Sequence, residues 1–142
     1  MARSSRYLSS IYLSPQGLSR LSAFDTSDLG PHTQALWRDL RGAAMAGLPL
    51  AVVVLAAAII DVVQHEEAGP AGYLDRAAFS FAGNKAALAW LRCRRNVFLH
   101  HEQPADGLMD ESGSVSQLVV DAERAICTLL DYLTDLDLGN SA

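Results

Sequence analysis

The chain has 142 residues, half of them hydrophobic and 19% charged, with a net charge of −5. Such a chain folds as one domain around its own core, which excludes a disordered acidic segment. Cys93 and Cys127 are isolated thiols without C-x-x-C spacing; they exclude a disulfide-framed secreted module and predict a cytoplasmic protein.

The charge is unevenly spread. Residues 1–24 carry only Arg3, Arg6 and Arg20, and residues 85–101 carry only Lys85, Arg92, Arg94 and Arg95. After His101 nine acids face one base, Arg124. Contact electrostatics fade within about 10 Å at moderate salt, so a local basic patch on an acidic protein still attracts a polyanion. Nucleic acid is therefore not excluded by the overall charge.

Residues 1–30 are read as a serine-rich N-terminal arm, partly irregular, with one short helix capped by Ser14 and Pro15 and running through Phe24. Its basic, acid-free start also matches the composition of a transit peptide. Residues 31–139 are read as a helical bundle. Pro31 suits a first helical position, and a helical segment extends to Glu67, where "AGPAG" stops it. Pro49 must kink or divide that segment.

Between Arg41 and Asp61 lie 19 uncharged residues, "GAAMAGLPLAVVVLAAAII", long enough to raise the question of a membrane span. The run is rich in alanine, includes two glycines and contains Pro49, so its hydrophobicity per residue is weak. It is read as a helix buried on most sides, at the centre of a bundle or at a subunit interface, with a small membrane protein as the alternative.

Residues 73–81 form a short amphipathic piece. Asn84 is an N-cap for the next helix, "NKAALAWLRCRRNVFLHHEQ", which Pro104 closes. Ser114 and Gln117 make a capping-box pattern. Val115, Leu118, Val119, Ala122, Ile126, Leu129, Leu133 and Leu136 then repeat at helical spacing until Gly139. The sum is an all-α, up-and-down bundle of four to five helices.

The chemical groups concentrate in "LRCRRNVFLHHE". On a wheel advancing about 100° per residue, Ala87, Leu88, Leu91 and Phe98 define an apolar stripe, and Arg95 falls inside it. A guanidinium there needs a partner. Asp61, which interrupts the other apolar helix in the same way, is the natural one. Alternatively, or in addition, Arg95 lines a cleft and grips an anionic ligand. Asn96 and His100 lie on the far side, one turn apart.

"RNVFLH" reads Arg95-Asn96-x-x-x-His100. This resembles the motif of the HEPN ribonuclease superfamily, an arginine, a polar residue and a histidine four to six positions after the arginine, set in a helical bundle. The resemblance implies a homodimer with the two motifs facing each other in one composite site that cuts RNA without metal or cofactor. His100 would be the general acid/base on the ribose 2′-hydroxyl or the leaving oxygen, and Arg95 would stabilise charge on the phosphate. Asn96 would orient the imidazole. Arg92, Arg94 and His101 would contact RNA phosphates, although such charges also suit a solvated helix face. Toxin, phage-defence effector and antitoxin-bound forms are among the roles the family implies.

Two rivals stand beside this reading. "HHE" with Asp61 and His65 suggests a metal site, but adjacent helical residues diverge by about 100° and cannot all ligate one ion. In a noncatalytic dimerisation or interaction module, Arg95 pairs with Asp61, His100 is a surface histidine and the apolar run is a dimer core.

Overall fold

A computed structural model of the chain describes residues 13–68, 74, 76–100 and 112–136. Among them lie six helices, α1 (Pro15–Ala23), α2 (Pro31–Ala46), α3 (Pro49–Glu66), α4 (Arg76–Phe81), α5 (Lys85–Leu99) and α6 (Ser112–Asp135). An isolated bridge joins Ala68 to Leu74. Five of them, α2 to α6, fall within the segment read as the bundle, and α1 falls within the stretch read as the N-terminal arm.

Gly47 divides the segment from Pro31 into α2 and α3. It ends α2 in the left-handed region, at φ 73° and ψ 43°, which glycine adopts without a Cβ clash. Leu48 N–H reaches back to the Ala43 carbonyl at 2.9 Å and Gly47 N–H to Ala44 at 3.3 Å, closing the helix end with the paired bonds of a Schellman cap. Pro49 then opens α3 at a position where its missing N–H costs nothing.

The chain returns antiparallel, and the end of α3 caps the start of α2. Glu66 accepts from the backbone N–H of His32 and of Thr33, each at 2.9 Å, and from Thr33 Oγ1 at 2.7 Å. Glu67 accepts from Gly30 N–H at 2.8 Å. Gly30 makes this approach possible, because a Cβ there would lie 2.6 Å from the Glu66 carboxylate. Burial would raise the Glu66 carboxyl, but the hydrogen bonds from Thr33 and His32 outweigh it and bring it from 4.5 to about 2.

Side-chain contacts give the direction of the other helices. Asp61 meets Arg95 while Gln64, one turn later on α3, lines a groove with Lys85 and Leu88, so α5 runs antiparallel to α3. Arg94 pairs with Asp121 and Gly83 N–H donates to Asp135, so α6 runs antiparallel to α5. The four long helices thus alternate up and down. Ser14 caps α1 by accepting from Gly17 N–H at 3.3 Å, as its position predicts. Leu13, Leu21 and Leu29 are buried in the shared core, so the packed unit begins before residue 31, the boundary expected for the bundle.

α3 is long and apolar enough by length and composition to cross a membrane, with mean hydropathy 1.6. Val52, Val53, Ala56, Ile59 and Val63 are fully covered by other helices of the bundle. Ala122 and Ala125 of α6, also fully buried, leave the small side chains that let α3 and α6 come close. Ala122, Ile126, Leu129, Leu133 and Leu136 all lie inside, following the predicted period. Ser114, predicted to cap α6, instead lies within it, because the helix starts at Ser112. Gln117 Nε2 donates to Asp121 one turn ahead rather than back to a cap.

Candidate functional site

Asn84 starts α5 as its sequence predicts, its Oδ1 accepting from Ala87 N–H at 3.0 Å. The helix carries a row of basic residues past α3 and α6, and the rotation fixed by buried Leu91 decides what each one meets. Arg95 Nη1 lies 2.5 Å from Asp61 Oδ2, with 19% of the arginine side chain and 45% of the aspartate exposed. The two residues that break the apolar stripes of α3 and α5 therefore neutralise each other. Arg95 also lines a small cavity with Ala57, Ile60, Gln64, Leu88 and Arg92.

Arg94, read as a phosphate contact or part of a solvated helix face, donates from Nε to Asp121 Oδ2 at 2.7 Å, with 16% and 6% of the two side chains exposed. Its guanidinium also lies over the Phe98 ring, 4.8 Å from the centroid. Arg94 sits about 60° to one side of Leu91 on the wheel, opposite to Arg92, and so turns toward α6. A guanidinium held this way ties α5 to α6. Arg92 is exposed and has no acid partner among the described residues.

Asn96 and His100 are exposed. The helix ends at Leu99, earlier than Pro104 would close it, and His100 is extended with φ −124° and ψ 150°. His100, His101, Glu102 and Gln103 offer no apolar side chain to pack, and packing is what sustains a helix of this length. The backbone bond from His100 N–H to the Asn96 carbonyl persists at 3.0 Å. The expected side-chain pair does not form, because the extended backbone carries the imidazole off the helical column. Asn96 Oδ1 accepts instead from Arg95 Nε at 3.2 Å. Asp61, Arg95 and Asn96 thus form one chain of contacts, and the His100 ring nitrogens have no protein partner among the described residues. His101, expected as an RNA contact, lies outside the described residues.

Two of the groups considered for a metal are engaged otherwise, and His101 and Glu102 lie outside the described residues. Asp61 is taken by Arg95, and His65 Nδ1 donates to the Asp61 carbonyl at 2.8 Å. Among the described residues no three His, Cys, Asp or Glu side chains gather.

Sequence reasoning missed Gln64, Lys85 and Tyr132. Gln64 Nε2 donates to the Tyr132 hydroxyl at 3.1 Å, beneath a groove that Lys85 and Arg92 border. The available signal was spacing: Gln64 follows Asp61 by three residues, and Lys85 precedes Arg92 by seven, so each pair shares a helix face. Burial holds the Tyr132 phenol above its ordinary range, with Asp61 adding to the rise and Gln64 and Arg92 opposing it. Its hydroxyl therefore remains a donor at neutral pH. Comparison of the chain with protein-family models, with curated proteins and with solved structures gives no match.

Proposed function

We propose that this chain is a cytoplasmic, metal-independent endoribonuclease of HEPN type that acts as a homodimer. The observation that carries this reading is Arg95, four-fifths covered and lining a cavity, with the Asn96 amide in contact; His100, five residues on, has no side-chain partner among the described residues. In the reaction, His100 takes the proton of a ribose 2′-hydroxyl or delivers one to the leaving oxygen. The 2′-oxygen bonds to phosphorus as the bond to the 5′-oxygen breaks, giving a cyclic phosphate and a 5′-hydroxyl. Arg95 lowers the cost of charge on the phosphate oxygens, and Asn96 fixes the Arg95 fork through Nε.

A second copy supplies the other half of the composite site. Val54, Ala58 and Val62 form an incompletely buried row on α3 that also bears Asp61, and Met45 and Leu48 are exposed at the hairpin turn. Such a surface suits a helix from another subunit. The same surfaces would serve an antitoxin, and a role as toxin or phage-defence effector belongs to this reading.

The test is incubation with a mixed single-stranded RNA in excess EDTA, beside a His100→Ala control. Cleavage with cyclic-phosphate ends that the substitution abolishes is the expected result. Cleavage that vanishes with chelator, or survives the substitution, refutes the assignment. The ion pairs favour a second reading, a noncatalytic helical interaction module, since Asp61 already meets the Arg95 charge and Asp121 that of Arg94. Dimerisation without cleavage is its signature.

A further inference from the structure

One face of α5 carries Lys85, Leu88, Arg92 and Arg95, spaced so that Lys85 and Arg92 stand about 10 Å apart along the axis. Below them lie two adjoining hollows that share Gln64, Leu88 and Arg92. The larger holds about 380 Å³ and is walled on one side by Phe79. Lys85 and Arg92 are exposed and lack acid partners among the described residues, so their charge is available to a ligand. Fully buried Tyr132 forms part of this hollow, and the Gln64 amide on its hydroxyl leaves one acceptor oxygen and one N–H unused. Two cations at the rim, an aromatic and aliphatic wall and a donor–acceptor pair at the back form a mixed recognition set. Inorganic phosphate would use only the first of these, and an apolar ligand only the second.

We propose that this groove seats one nucleotide of a single-stranded RNA, with its phosphate on Arg92 and Lys85 and its base against Phe79 and Leu88. The Gln64 amide, held from behind by the buried Tyr132 hydroxyl, meets the edge of the base. Naming the ligand as RNA rests on the ribonuclease reading, and Arg92 sits between this groove and Arg95, placing the nucleotide next to the phosphate that Arg95 would hold. Stacking and phosphate contact together give the sequence-tolerant grip of single-strand binders.

The test is titration of the full chain with AMP, with adenosine and with inorganic phosphate, followed by amide chemical shifts and calorimetry. AMP is expected to bind at least tenfold more tightly than either fragment. The Lys85→Ala/Arg92→Ala double variant is expected to weaken AMP about tenfold or more, since both side chains are exposed and the fold does not depend on them. Tyr132→Phe keeps the buried ring but releases the Gln64 amide from its anchor, and is expected to weaken AMP severalfold. AMP binding no tighter than phosphate, binding indifferent to the double variant, or no binding at millimolar AMP overturns the proposal. AMP binding without RNA cleavage upholds the groove and sinks the ribonuclease reading, whereas cleavage without AMP binding does the reverse.

Discussion

Unequal burial of Asp61 and Arg95 predicts that the two halves of their ion pair differ in what they cost to remove. Replacing Arg95 with Met keeps most of the buried stem and leaves Asp61 with 45% of its side chain in water, where hydration takes over the lost partner. The expected cost is about 1 kcal/mol or less, the range of partly exposed pairs. Replacing Asp61 with Ala leaves an arginine whose side chain is only 19% exposed, with the Asn96 amide as its remaining acceptor. Breaking a fully buried pair costs about 3–5 kcal/mol; the remaining exposure and the Asn96 contact reduce that to about 2–3 kcal/mol. The helix preference of alanine returns about 0.5 kcal/mol of it. In urea unfolding followed by far-ultraviolet circular dichroism, Asp61→Ala should therefore be the less stable variant, melting lower than wild type by roughly 2–4 °C for each kcal/mol. A greater loss for Arg95→Met than for Asp61→Ala would refute the reasoning, since it would mean that the aspartate is the group that cannot reach water.

The Arg94–Asp121 pair joins a largely covered arginine to a buried aspartate, so Arg94→Met, which leaves Asp121 short of a charge partner away from water, should destabilise by about 2–3 kcal/mol, more than Arg95→Met, with urea midpoints as the measure. Because the folded Glu66 carboxyl is held at about 2 against 4.5 when unfolded, its contribution is complete above pH 4.5 and disappears as pH falls toward 2. Glu66→Gln should thus cost about 1–2 kcal/mol at neutral pH and little in acid, as unfolding curves across that window will show. Glu67 has the opposite sign: burial, opposed by the Gly30 N–H and aided by Glu66 and Asp28, raises its carboxyl. Its ionisation therefore opposes folding once pH rises above the unfolded value, and Glu67→Gln, which still offers Gly30 an acceptor, should unfold at the same or higher urea concentration at neutral pH. His100→Ala, exposed and unpartnered, should leave stability within about 0.5 kcal/mol of wild type. Loss of RNA cleavage in that variant is then a chemical effect, readable from the same preparation.

Several features were legible from neighbouring residues alone. The caps at Ser14 and Asn84, the helix period from Ala122 to Leu136 and the break near Pro49 each depend on groups within about four positions of one another. The Asp61–Arg95 pair was legible for a different reason: two charges that interrupt two apolar stripes have few other places to go. The end of α5 was misjudged because the pattern of polar residues after Phe98 contains no stop signal until Pro104. What ended the helix was the lack of anything to pack.

Sequence alone thus determined the helical class, the apolar faces and which charges must find partners. Only tertiary structure decided that Arg94 turns inward to Asp121 while Arg92 turns outward, that Glu66 caps a helix start 34 residues away, and that Gln64 and Tyr132 meet beneath a basic groove. Periodicity fixes which side of a helix is buried, but the rotation and offset of one helix against another come from interdigitation of whole side-chain surfaces. A few tens of degrees of rotation about α5 is the difference between a guanidinium locked in the core and one offered to a phosphate.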